Sequence, residues 1–330
     1  MSASKPPGPG PALPSSGSWT ISEALDGARL DRALRELVGD VSWNVVRRAI
    51  ETGKARLDGA TTTDSGALVS QGQTLDLIMS APRSGVDKSS RSVRLAQDAL
   101  VYVDSQVVVV EKPAGVATVP FEDSERDTLD ALVAELVSRG TGARPRPLGV
   151  VHRLDKETSG LLVFARTPHA LRHLKNQFRF HTTSRRYLAL AHGPVMSGTI
   201  SSRLIQDRGD GRRGSTHSQE LGREAITHVR ALEHFHAATL VECRLETGRT
   251  HQIRIHLAER GHPLLGERVY SKGFTAPLLP APRILLHAAA LGFTHPTSEQ
   301  PLFFESAPPA DFAAALASLR SAARQKATPR

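Results

Sequence analysis

Asp155 lies in the stretch Val151-His152-Arg153-Leu154-Asp155-Lys156-Glu157-Thr158-Ser159-Gly160, followed by the apolar run Leu161-Leu162-Val163-Phe164-Ala165. A carboxylate between Arg153 and Lys156, with His152 a third cation when protonated, suits a site that handles an anionic polymer. A solvated surface turn has the same composition, so this stretch alone does not decide between a site and a turn. Apolar runs on both sides of a charged, Gly-ended core predict two strands that deliver the loop to a sheet edge.

Other residue types with chemical potential are set aside on spacing. His169 and His173 stand four apart on a predicted helix, but no third ligand accompanies them, and they read as surface histidines. Gly209-Asp210-Gly211-Arg212-Arg213-Gly214 spells a dinucleotide fingerprint without a preceding strand or a following apolar helix, so it reads as a polar, polyanion-facing loop. Cys243 is the only cysteine, which excludes an internal disulfide and a Cys-based metal site within one chain; its alternation with Val241 and Leu245 predicts a core position.

The companions of Asp155 decide the matter. Glu111-Lys112-Pro113-Ala114-Gly115, Arg153-Leu154-Asp155 with Thr158-Ser159-Gly160, Ser184-Arg185-Arg186-Tyr187-Leu188-Ala189-Leu190, Thr247-Gly248-Arg249-Thr250-His251-Gln252-Ile253-Arg254 and Leu286-His287-Ala288 follow one another in order. Together they resemble the RluA-type pseudouridine synthases of RNA, a resemblance that covers residues 100–312. The resemblance implies an α+β fold: a pseudouridine synthase catalytic domain over residues 93–330, with a central mixed, mostly antiparallel sheet flanked by helices. It also implies an isomerase that moves the glycosidic bond of uridine from a ring nitrogen to ring carbon 5. That reaction involves no oxidation and no loss of atoms, and so requires no cofactor, nucleotide or metal.

By the same resemblance, Asp155 is the carboxylate that attacks or supports an electron-poor carbon while the base detaches, rotates and re-bonds. Attack at the ribose, attack at the base and elimination at the sugar all fit these residue types. A buried carboxylate must stay ionised, and Arg254 is the guanidinium expected to keep it so. Arg249 is the second choice for that role and otherwise a phosphate ligand. Tyr187 offers a plane beside a flipped-out base and a hydroxyl suited to moving the carbon-5 proton. Leu286 supplies an apolar wall that His287 orients, and Arg153 fills the gap left by the base or holds its phosphate. Glu267 after Gly266, and Ser271 after Tyr270, depart from the family pattern and are expected to bear on loop geometry rather than on chemistry.

The elements that position these residues follow from the rest of the chain. Residues 1–18, rich in Pro, Gly and Ser, predict a disordered arm. Over residues 19–80, Leu30, Leu34, Leu37 and Val38 form one helical stripe. Ser42 caps a second helix that Gly53 ends, and an Asp58-Gly59 turn leads to an alternating Leu75, Leu77, Met79 strand. Two basic helices and a small β element resemble the alpha-L RNA-binding module of a ribosomal protein, which makes Arg29, Arg32, Arg47, Arg48, Lys54 and Arg56 candidate phosphate contacts. Residues 81–92 predict a linker. Leu100 to Val103 and Val107 to Val110 predict paired strands, the second buried on both faces. Lys112-Pro113-Ala114-Gly115 then turns the chain where backbone can approach a ligand closely. Thr167 and Pro168 start a helix, Thr250 caps another running to Arg260, and residues 311–326 predict a helix that pads the domain.

Composition limits the partners. With 330 residues and 39% hydrophobic content the chain can build a large core beside a small domain. Its net charge of +9 favours a polyanion. No apolar run is long enough to span a bilayer, and the N-terminus lacks the hydrophobic region of a secretory signal, so a cytoplasmic monomer acting on RNA without a membrane partner is expected. Ribosomal RNA is the favoured partner, with transfer RNA the other choice. A noncatalytic RNA-binding or ribosome-assembly factor on the same fold is the alternative, and intact Asp155, Tyr187 and Arg254 argue against it. A carboxylate-based hydrolase would leave the N-terminal module unexplained.

Overall fold

The computed structural model describes residues 13–39, 41–81, 95–120, 127–139 and 144–327. The predicted arm through residue 12 and the predicted linker over 82–92 lie outside the described residues. The chain forms two compact units, one built from residues up to 91 and one from residue 92 onward apart from the three residues 209–211.

In the first unit, four strands order as Ser16–Thr20, Thr74–Ile78, Ala55–Leu57 and Ala60–Thr62. Regular structure therefore begins at Ser16, inside the predicted arm, because this strand pairs along its length with Thr74–Ile78. Helices Leu30–Val38 and Trp43–Glu51 bury Leu30, Leu34, Val46 and Ile50 against Leu75 and Leu77. The Ser42 hydroxyl accepts the Val45 N–H as expected of a cap, and Gly53 ends the helix at φ 74°. Met79 lies largely exposed, past the end of the alternation expected for it.

Three of the candidate phosphate contacts here, Arg29, Arg47 and Lys54, have internal partners. Asp31 is buried and accepts from Arg29 through Nε and Nη2, both at 3.0 Å, and from Arg47 Nε at 2.8 Å. Burial pushes the Asp31 pKa up, but the hydrogen bonds and charges of the two arginines outweigh it and hold the carboxyl below its usual range. Arg47 thus ties the second helix to the first, where Arg29 shares the same carboxylate, and Lys54 donates to the Ala81 carbonyl.

The second unit is a mixed sheet of eleven strands among the described residues. Nine run in the order Gly214–Thr216, Gly198–Ile205, Arg223–His234, Ala238–Leu245, Ser184–His192, Leu286–Thr294, Ser159–Ala165, Val107–Lys112 and Leu100–Val103. Pro301–Glu305 pairs with Leu286–Thr294, and Gly149–Val150 pairs with Ser159–Ala165. Val107 to Val110 are all fully buried, as the valine run requires, each contributing roughly 1.5–3 kcal/mol relative to exposure. On one face Val108, Val110, Leu162 and Phe164 pack with Leu129 and Val133 of helix Leu129–Ser138 and with Ile253 and Leu257 of helix Gln252–Glu259. On the other, Ala170 and Leu174 of helix Pro168–Arg179 and Phe312 of helix Ala310–Ala327 cover the remainder. Thr167 caps its helix by accepting the Ala170 N–H at 3.1 Å, and Cys243 is buried in the core as expected.

The Asp155 loop is not delivered to a sheet edge. Ser159–Ala165 is an interior strand, antiparallel to Val107–Lys112 and parallel to Leu286–Thr294, the one parallel pairing among the described residues. Gly160 permits that neighbour: its φ is +110°, and a Cβ there would sit 2.3 Å from the Ala288 carbonyl oxygen. Gly160→Ala is expected to destabilise the second unit by about 2–4 kcal/mol, through left-handed strain added to a backbone clash. Denaturant unfolding checks it; a midpoint equal to that of the unaltered chain would mean the parallel pair tolerates a side chain.

Candidate active site

The loop from Arg153 to Thr158 is fixed by its backbone. Thr118 Oγ1 donates to the Leu154 carbonyl at 2.8 Å and accepts the Leu154 N–H at 3.1 Å, gripping the residue before Asp155 from both sides. On the far side the Lys156 carbonyl accepts from Gly115 N at 2.8 Å and from Lys112 Nζ at 3.0 Å. The Lys112-Pro113-Ala114-Gly115 turn, expected to approach a ligand, instead approaches this loop, with Gly115 at φ 85°. Lys112 Nζ also donates to Pro113 O and Val116 O. Burial pushes this lysine down to about 7 while the charge of Asp155 opposes the shift; its three carbonyl acceptors require all three ammonium protons, so the cage holds the charged form. Ser159, at the loop's exit, bonds His287 Nδ1 at 3.1 Å, and Arg283 joins Glu157 O to the Asp311 carboxylate of the C-terminal helix. His287 therefore anchors the loop exit as well as flanking Leu286.

Asp155 is 18% exposed at its side chain, and Arg254 Nη1 lies 3.4 Å from its Oδ2. Arg254 enters from the first turn of helix Gln252–Glu259. Thr250 does not cap that helix; His251 does so in a left-handed conformation, φ 59°, held by tertiary contacts rather than by a side-chain cap. Buried Gln252 ties the turn down, accepting from Thr247 Oγ1 and Arg249 N and donating to Ile226 O.

Arg254 has a second and closer carboxylate. It donates through Nε and Nη2 to Glu267 at 2.7 and 2.9 Å, and its guanidinium carbon sits 5.3 Å from the Tyr270 ring centre. Glu267 is fully buried and also accepts the Val269 and Tyr270 N–H groups. Glu267 thus reaches the site through Arg254, contrary to the expectation that its departure touches only loop geometry, and Tyr270, the residue before the second departure, packs on the same guanidinium. Burial works against the charge on both Arg254 and Glu267, but their mutual hydrogen bonds and attraction win, so the arginine is held above its ordinary range and the glutamate below. Tyr270, pushed up to about 12 by burial, stays protonated and donates to His251 Nδ1 at 2.7 Å. His251, pushed down to about 4 mainly by burial, is neutral, so its Nε2–H faces Asp155 Oδ1 at 3.9 Å.

A cavity of about 570 Å³ opens over Asp155, and Tyr187, Leu286, Arg153, Arg249 and Arg254 all line it, so the expected site residues of this unit come together. Arg249 donates to the Glu224 carbonyl at 2.9 Å and has no ion pair with Asp155 among the described residues, which leaves Arg254 as the partner. Burial raises the pKa of the Tyr187 phenol, with Asp155 adding to the shift and Arg185 reducing it, so the hydroxyl is neutral; among the described residues it has no hydrogen bond. His152 is not a cation: burial pushes it down to about 3, its Nε2 accepts the Val163 N–H, and its ring stacks on Phe178 at 4.4 Å. Arg185 and Phe178, absent from the sequence-based site, also line the cavity. Arg185 stands in the Ser184 to Leu190 motif that carries the resemblance, two residues before Tyr187.

Asp155 is the single carboxylate lining this cavity among the described residues, against the arginines and Lys175, Arg179 at its rim. That arrangement on a mixed sheet sets one carboxylate in a cation-rich cavity, a setting that suits a polyanionic substrate. Residues 106–259 match the RNA pseudouridylate synthase family. The chain is 35% identical to the ribosomal large subunit pseudouridine synthase D of Zymomonas mobilis over 302 residues, 88% of this chain and 94% of that protein. It is 36% identical to the protein of the same description from Xanthomonas campestris, over 91% of each chain. Human RNA pseudouridylate synthase domain containing 4 shares the fold, with a TM-score of 0.56 and 24% identity over 68% of this chain and 93% of that one. The chain belongs to the RNA pseudouridine synthase family, and is an isomerase acting on RNA.

Glu267→Gln is expected to lower stability at neutral pH by about 3 kcal/mol, because it leaves Arg254 half paired in a buried setting. The folded Glu267 pKa is depressed below the ordinary 4.5, so its stabilisation is complete above that value and is lost as pH falls through the folded pKa. Unfolding free energies of the two chains should converge under acid; a gap independent of pH would remove the ion pair as its cause.

Proposed function

We propose that this protein converts specific uridines of large-subunit ribosomal RNA to pseudouridine, with Asp155 as the carboxylate that works on the reacting carbon. The observation that carries this reading is the setting of Asp155: a caged loop, a guanidinium 3.4 Å away, and a cation-rich cavity in which it is the lining carboxylate among the described residues. The names of the similar bacterial proteins support the choice of RNA.

The stacked uridine must leave its helix at a cost of roughly a few kcal/mol, which stacking inside the site offsets. Tyr187 takes the stacking role, and its protonated hydroxyl is free to donate to the base. The elevated phenol pKa weighs against its acting as the carbon-5 base. Leu286 closes the apolar side. Exposed Arg153 fills the vacated stack or holds its phosphate, and Arg249 takes a flanking phosphate. Two helices on a small sheet, with Arg32, Arg48, Lys54 and Arg56, support an alpha-L-type RNA contact by the first unit.

Asp155→Asn, nearly isosteric but uncharged, should leave the fold intact and abolish tritium release from carbon-5-labelled uridine in RNA. Appreciable turnover by that variant would remove Asp155 from the chemistry. Arg254→Lys should cut the single-turnover rate by about 100-fold with little change in RNA affinity, since its fork serves carboxylates; Arg249→Ala should do the reverse. Replacing Arg32 and Arg56 with Gln should flatten the log–log salt dependence of RNA binding by roughly 0.7–0.9 per lost phosphate contact, and an unchanged slope would take the first unit off the backbone.

A further inference from the structure

Arg185 is a buried guanidinium in the wall of the cavity. It is 8% exposed, lines the cavity beside Tyr187, and among the described residues pairs with no carboxylate. Its Nη2 donates to Glu246 O at 2.6 Å and Leu245 O at 3.4 Å, its guanidinium lies over Phe178, and its Nε is buried with no hydrogen-bond partner. Burial pulls its pKa below the ordinary range, with some relief from Tyr187. Arg254, by contrast, answers to two carboxylates. Gly248 makes room for Arg185, since a Cβ at that position would lie 2.6 Å from Nη1. An unpaired buried guanidinium is costly, and a cost placed in a substrate cavity points to an anionic group that arrives with the substrate.

We propose that Arg185 is a substrate-binding residue that holds an anionic oxygen of the flipped nucleotide, resting on the isomerase reading above. Two sources share this chemistry. One is the backbone phosphate, anionic throughout. The other is a carbonyl oxygen of the detached uracil: when the bond from ribose C1′ to N1 breaks, its electron pair stays on the ring, and the negative charge spreads onto those oxygens. The ring then re-bonds through carbon 5, the proton leaves that carbon, and N1 ends protonated, so the charge exists only between the two bonds.

The test compares Arg185→Met and Arg185→Lys with the unaltered chain, measuring affinity for a ribosomal RNA fragment and the saturating single-turnover rate of tritium release. If the phosphate is held, Arg185→Met weakens binding about 10- to 100-fold and leaves the rate unchanged. If the detached uracil is held, the rate falls about 100- to 1,000-fold at unchanged affinity. In either case Arg185→Lys, which keeps the charge, recovers part of the loss. Unchanged affinity and rate in Arg185→Met, or a lysine variant as impaired as the methionine variant, overturns the proposal. Should Arg185→Met not fold, Gly248→Ala displaces the guanidinium while keeping its charge, and full retention of both quantities overturns the proposal equally. Absence of tritium release from the unaltered chain counts against the isomerase reading instead, and affinity alone then decides Arg185.

Discussion

One guanidinium faces two carboxylates. Arg254 is gripped at two nitrogens by Glu267 and touches Asp155 at a third, with Tyr270 closing over its face. A flexible arginine able to collapse fully onto Asp155 would quench the group it serves. Glu267 prevents this by fixing the fork, so that Asp155 receives one long contact of 3.4 Å. The carboxylate thus keeps a guanidinium beside it without being tied into a tight pair. Glu267 can do so only because two backbone N–H groups complete its own shell.

The same division of labour extends through the second unit. Charges that hold the structure are internally satisfied: Lys112 by three carbonyls, and Arg283 by Asp311 and the loop carbonyls. Of the arginines that line the cavity, Arg185 and Arg249 have no ion pair among the described residues, which adds to the positive field of the pocket. In the first unit the distinction runs the other way for Arg29 and Arg47, whose charge is absorbed by buried Asp31.

Local features were legible in the chain. The Ser42 and Thr167 caps, the Asp58-Gly59 turn, the valine strand and the apolar stripes depend on neighbours a few residues away, and the structure has them as expected. What was hidden depends on distant contacts. Nothing near Glu267 in sequence announces a partner at Arg254, and a departure from a familiar pattern drew attention to the loop rather than to its charge. His251 in a left-handed conformation defeats the Thr250 cap, because a non-glycine residue adopts that geometry only where packing enforces it. Gly115 was read as an opening for ligand, yet the backbone it meets belongs to the Asp155 loop. His152 looked like a cation until Phe178 and the Val163 N–H occupied its ring.

The parallel pairing between Ser159–Ala165 and Leu286–Thr294 has a consequence for when the protein becomes competent during synthesis. Parallel neighbours distant in sequence form late, because the intervening chain must be closed before the contact rewards it. Here the intervening chain also supplies Tyr187, Arg249 and Arg254, and the exit of the Asp155 loop is anchored by His287 and Arg283. A nascent chain that stops before residue 283 has every charged group of the cavity but neither Leu286 nor these anchors. The fold therefore makes completion of the cavity wait on synthesis of the strand Leu286–Thr294.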